Sequence, residues 1–116
     1  MYSRGAGPEL VLGLRAERKH CNMRGTVHGG MLATLADIAL GYSLAFSTAP
    51  PTGAVTTNLT LDFIGAARSG DWLETAIEFH RLGSRVGFAN CYISAEGVRV
   101  VRASAVFLVT GKLAEG

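Results

Sequence analysis

The chain has 116 residues, 48% of them hydrophobic and 17% charged, with a formal net charge of +2 at pH 7. That suits one domain with a modest core, residues 1–116, and the scattered basic residues give no case for a nucleic-acid partner. Cys21 and Cys91 make neither a disulfide framework nor a metal-ligand pattern, no apolar run is long enough to cross a bilayer, and residues 1–7 lack the apolar core of a signal peptide, so the expectation is a cytoplasmic protein with reduced thiols, no metal, no cofactor and no membrane contact.

In chain order, residues 9–19 read as a first strand, with Leu10, Leu12 and Leu14 alternating against small or charged neighbours. A loop comes next, holding Asn22 and Gly25 and ending in His28-Gly29-Gly30. Residues 30–46 then read as a helix that is apolar on nearly every side, and its exceptions are ordered: Gly30, Thr34, Asp37 and Gly41 recur at spacings of four, three and four, which stacks them in one stripe. Pro50, Pro51 and Gly53 forbid further helix. Beyond them the chain reads as strand alone. In residues 55–63, Val55, Thr57, Leu59, Leu61 and Phe63 form one row and Thr56, Asn58, Thr60 and Asp62 the other; in residues 72–80, Leu73, Thr75, Ile77 and Phe79 form the apolar row. Gly83-Ser84 and Glu96-Gly97 turn the chain into strands at 86–95 and 98–110. One strand, one helix and a four-strand meander predict an α+β domain in which a five-stranded antiparallel sheet wraps around one long apolar helix.

The chemistry sits where the helix begins. Glycines there expose backbone N–H groups at the positive end of the helix dipole, so the Gly29 and Gly30 amides can receive an oxyanion, with His28 and Asn22 adding polar groups at the same end. Asp37 is the only carboxylate on the helix. A structural acid is the plain reading of such a residue; beside an electrophile-binding turn, it is also the second half of a hydrolytic site. Eight positions separate Gly29 from Asp37, roughly 12 Å of helix axis, too far for one substrate atom to touch both. A site shared across a two-fold dimer resolves the distance.

Element order and motif together resemble the hotdog fold. The stretch Asn22-Met23-Arg24-Gly25-Thr26-Val27-His28-Gly29-Gly30, with Asp37 beyond it, resembles the acyl-CoA thioesterases of the phenylacetate-degradation, PaaI-like type, and the likeness extends over residues 10–111. It implies hydrolysis of an acyl-CoA thioester to the free acid and coenzyme A in a homodimer that assembles into a homotetramer. By the same resemblance the Gly29 amide polarises the thioester carbonyl with Gly30 beside it, Asp37 of the neighbouring subunit is base or nucleophile, Asn22 positions the water or the carboxylate, and His28 orders the loop. A hydroxyl on the strand after the helix completes such sites; the matching position is Thr56, whereas strand phase favours Thr57. Arg81 and Arg85, flanking the Gly83-Ser84 turn, correspond to residues that meet coenzyme A phosphates, with Arg68 a weaker candidate; an ordinary solvated hairpin tip is the alternative. Met31, Leu35, Tyr42, Phe63 and Phe88 are the expected shapers of the acyl pocket. Two other functions stay open: a non-catalytic acyl-CoA-binding module, and a hotdog hydratase or dehydratase, whose usual acid-before-His loop the chain lacks.

Overall fold

A computed structural model describes residues 1–112; the end of the expected 1–116 domain, residues 113–116, lies outside the described residues. The elements are β1 (Tyr2–Arg4), β2 (Val11–Arg15), α1 (Gly29–Ala45), β3 (Thr52–Phe63), β4 (Trp72–Leu82), β5 (Val86–Ala95) and β6 (Val98–Lys112), with short 3-10 turns at Gly7–Glu9 and Arg18–His20. The strands make one antiparallel sheet in the order β1-β2-β4-β5-β6-β3, and α1 lies against β2 through β6. The expected five strands are therefore six. The addition is β1, whose three residues are too short to show an alternation; its pairing sets Tyr2 against Gly13, and the Tyr2 ring meets Trp72 with centroids 6.3 Å apart. The strand expected at 9–19 shrinks to Val11–Arg15 because the 3-10 turns take both of its ends.

Helix α1 buries Leu32, Leu35, Ala36, Ala39, Leu40, Ser43 and Leu44, a stripe at helical spacing that packs on Leu73, Cys91, Ile93, Val101, Ala103 and Phe107 of the sheet. Small residues bring helix and sheet close: at Gly87 a Cβ would stand 2.7 Å from Leu44 Cδ2. The helix is not dry on nearly every side, as its composition predicts. Thr34 and Tyr42 are exposed and Asp37, Ile38 and Gly41 only half-buried, because one sheet can cover only one side of a helix. The outer stripe of one chain is left uncovered.

Bulges correct the expected strand faces. Thr56 pairs with Phe107 and Asn58 with Val106, so Thr57 is an extra residue that reverses the alternation of β3. Leu59, Leu61 and Phe63 keep the helix-side row, but upstream of the bulge the residues on that row are Ala54 and Thr56, while Val55 pairs with Leu108 on the outer face. Strand β4 does the same at Glu78, between Ile77 and Phe79. Phe79, read as core from a continuous alternation, therefore faces outward and is 54% exposed.

Cys91 lies in the centre of the sheet, fully buried, and burial pushes its thiol up from the ordinary 9.0 to about 12. The folded chain thus keeps a proton that the unfolded chain releases. The stabilisation is complete below about pH 9 and is lost as pH rises through the folded value, by about 1.4 kcal/mol per pH unit. Denaturant titrations of wild type and Cys91→Ala should show a stability gap that narrows between pH 9 and pH 12; a constant gap would show that this thiol does not titrate on unfolding.

Candidate active site

The loop before α1 is pinned on both sides. His28 N–H donates to the His20 carbonyl at 2.8 Å and Val27 N–H to that of Ala67 at 2.8 Å, and the bridges Cys21↔Val27 and Thr26↔Arg68 tie the loop to its surroundings. His28 caps the helix with φ −57 and ψ 136 and makes no side-chain cap. Met31 and Leu32 N–H both turn back to the His28 carbonyl at 3.0 and 3.2 Å. The Gly29 and Gly30 amides have no acceptor among the described residues, as the first positions of a helix require. A Cβ on Gly29 would approach the Phe63 ring to 3.2 Å, and one on Gly30 would meet nothing. The result is two aligned donors at the positive end of the helix, with Phe63 as a wall, and it can hold a polarised carbonyl oxygen.

Asp37 lies on the uncovered stripe two turns along the same helix, and its Oδ1 accepts a hydrogen bond from Thr56 Oγ1 at 2.9 Å. Of the two threonines read as rivals, Thr56 meets the carboxylate; the Thr57 hydroxyl donates to the Val106 carbonyl at 3.1 Å instead. An unbroken strand would put Thr57 on the helix side, and the bulge puts Thr56 there instead. The hydroxyl orients the carboxylate and leaves Oδ2 for a water or a substrate.

The other expected site residues divide. Asn22 is exposed, and its Oδ1 accepts from the N–H groups of Arg24 at 2.9 Å and Thr26 at 3.2 Å, so this oxygen holds the turn that presents the glycines. Arg81 and Arg85 are exposed at the β4–β5 hairpin, next to Gly87 and the C-terminal end of α1. Within one chain, that is the far end of the helix from Gly29. Leu35 is core and Phe88 lies on the outer sheet face, whereas Tyr42 is exposed on α1 and Phe63 stands at Gly29. Pocket residues are hard to find from sequence because apolar type alone does not tell a lining position from a core one. Asn22→Ala should lower stability by about 1 kcal/mol, the order of a lost hydrogen bond, while Asn22→Asp, which keeps an acceptor oxygen, should stay near wild type in thermal melts. Equal stability of wild type and the Ala variant would show that the turn does not depend on this oxygen.

Comparison with known proteins gives the chain its family. A Pseudomonas aeruginosa protein provisionally named an esterase is 50% identical over 99 residues, spanning 85% of this chain and 74% of that protein. A hypothetical thioesterase of Streptococcus pneumoniae, crystallised with coenzyme A, superposes with a TM-score of 0.87 at 23% identity, covering 97% of this chain and 88% of the other. The PaaI protein of the E. coli phenylacetic acid degradation operon superposes with a TM-score of 0.79 at 22% identity, covering 91% and 75%. At such identities the two structures speak for the fold, and the fold is the hotdog. The match that carries kinship runs from the glycine loop through both candidate groups to the last strand: over residues 24–110 the chain fits the thioesterase superfamily, and it belongs to that family.

Proposed function

We propose that two copies of this chain form a hydrolase for acyl-CoA thioesters, each site built from the Gly29 amide of one subunit and Asp37 of the other. The observation that carries the reading is the Asp37–Thr56 pair on an uncovered helix stripe, on the same helix as two unpartnered amides. The Gly29 amide would polarise the thioester carbonyl. Asp37, held by Thr56, would take a proton from water as its oxygen attacks the carbonyl carbon; the C–S bond then breaks, and the proton passes to the departing thiolate. Direct attack by Asp37 on the carbonyl carbon is the other route: the C–S bond breaks and the coenzyme A thiolate leaves, an acyl–carboxylate anhydride remains, and water cleaves it to the free acid and the Asp37 carboxylate, its released proton going to the thiolate. The Asn22 amide group and the His28 side chain stand beside this turn as binding groups. The coenzyme A held by the Streptococcus pneumoniae neighbour supports the substrate class, and the likeness to PaaI supports that branch of the family.

The sheet edges support the dimer. One edge is the three-residue β1, and the other is the twelve-residue β3, whose outer side is unpaired among the described residues and whose sequence from Thr52 to Phe63 holds neither Pro nor Lys. Such an edge invites a second strand. Antiparallel pairing of two β3 strands about a two-fold axis at Thr60, with Thr57 bulged out as it is against β6, would set Thr56 beside Phe63 of the partner subunit. Asp37 is bonded to Thr56 and Gly29 packs on Phe63, so the same register would bring Asp37 to the partner's Gly29, twice per dimer. Phe79, Phe88 and Leu108, exposed on the outer sheet face, favour a further pairing of dimers into a tetramer.

Asp37→Asn should keep fold and coenzyme A binding and lower turnover by at least about 100-fold, within the range of general-base effects. Gly29→Pro removes the N–H at a position where helices accept proline, and the extended His28 backbone suits it; it should be inactive, while Gly29→Ala, which keeps the N–H, should retain activity. Mixed under subunit exchange, Asp37→Asn and Gly29→Pro chains should recover about a quarter of wild-type turnover, since one site in each heterodimer receives both intact groups. A dead mixture with proven exchange excludes the shared site, and near-normal hydrolysis by Asp37→Asn leaves an acyl-CoA-binding module as the better reading.

The register has its own check. Thr60→Cys should crosslink two chains under mild oxidation, whereas Val98→Cys, exposed at the start of β6, should not; the opposite pattern excludes pairing through β3.

A further inference from the structure

The outer face of the sheet carries charge as well as apolar surface. Four residues form one row across it: Phe79 pairs with Asn90, Asn90 with Ser104 and Ser104 with Thr60, so all four point away from α1. On one side of the row Arg81 pairs with Phe88. On the other stands Glu78, the extra residue of the β4 bulge, whose Oε1 accepts from Asn90 Nδ2 at 3.2 Å. Glu78, Phe79, Phe88, Asn90, Ser104 and Val106 line a cavity of about 430 Å³. Asn90 Oδ1 is buried and has no hydrogen-bond partner among the described residues, which buried acceptors rarely lack. Neither Glu78 nor Arg81 makes an ion pair among the described residues, whereas Arg102, on the same face, is bonded to Asp62 at 2.9 Å.

We infer that this cavity is the socket for Arg81 of a facing copy of the chain, so that the outer faces of two dimers close on each other through Arg81–Glu78 pairs; the inference rests on the dimer paired through β3. The face is self-complementary in charge. Arg81 and Glu78 lie on opposite sides of Phe79 on one strand, and a two-fold axis crossing β4 at Phe79 sets each against its opposite on the facing chain. The dimer supplies such an axis. A closed tetramer of two-fold dimers has three perpendicular two-fold axes that meet, so with the dimer axis at Thr60 the other two lie parallel to the outer face and pass over Thr60. Stacked sheets run about 30° from parallel, which leaves one of these axes about 15° from the perpendicular to the strands, the direction of the row from Thr60 to Phe79. Over the three strand spacings of about 4.8 Å between those residues, that swing displaces the axis by about 4 Å, within the reach of an arginine side chain. The arriving guanidinium meets the Glu78 carboxylate and the faces of Phe79 and Phe88, and a turn of the half-buried Asn90 amide offers its oxygen to a further N–H.

Sedimentation velocity on the full chain tests the pair, with its charges reversed singly and together. Wild type should sediment as a tetramer. Arg81→Glu and Glu78→Arg should each raise the tetramer–dimer dissociation constant at least about 100-fold, because symmetry repeats the like-charge contact. Arg81→Glu/Glu78→Arg should restore the tetramer, which separates a charge pair from damage to the fold. The inference is overturned if the single variants stay tetrameric or if the double variant stays dimeric. A wild-type dimer that crosslinks through Thr60→Cys overturns it as well and leaves the β3 pairing standing, whereas wild-type monomers overturn both.

Discussion

A rigid α-helix holds the Gly29 amide and the Asp37 carboxylate eight residues apart on one element, roughly 12 Å along its axis, and the arrangement of the molecule answers to that separation. One group points off the end of the helix as an unpartnered donor. The other lies on its flank, on the stripe that the sheet leaves uncovered. No side-chain rotation brings them together. A chain that uses both on one reacting atom has to borrow one of them, and the long open edge of β3, beside which both groups lie, is the surface that suits the loan.

The single extra residue at Thr57 bears on the same problem from the strand side. Had β3 run without a bulge, the row holding Leu59, Leu61 and Phe63 would have continued through Thr57, and Thr56 would have faced away from the helix. The bulge lets the strand keep apolar residues under α1 at one end and turn a hydroxyl toward Asp37 at the other. Local irregularity of this kind re-aims one side chain without changing the sheet order. It also leaves the Thr57 hydroxyl bonded across to β6, so the kink is itself tied down.

The loop before the helix is held by its own polar contacts. Asn22 spends its side-chain oxygen on two backbone N–H groups, and the bridges to Val27 and Arg68 hold the rest. Those contacts fix the direction in which the glycine amides point off the helix.

Much of this was legible in the chain because it is written in local rules. The apolar helix, its breakers, the Gly30–Thr34–Asp37–Gly41 stripe, the alternating strands and the glycine pair at a helix start arise from periodicity and backbone chemistry, which residues obey whatever surrounds them. What sequence could not settle depended on partners distant in the chain. The strand β1 exists only because β2 offers it an edge. The faces of Thr56 and Phe79 were decided by bulges, which arise from how two strands match and leave no mark in the period of one. Likewise Leu35 and Tyr42, both apolar on one helix, part into core and surface only when the sheet takes a side. Sequence by itself determined which groups could do the chemistry; tertiary structure decided which of them meet, because contact depends on register and packing between elements, and a one-residue shift there turns a side chain to the opposite face.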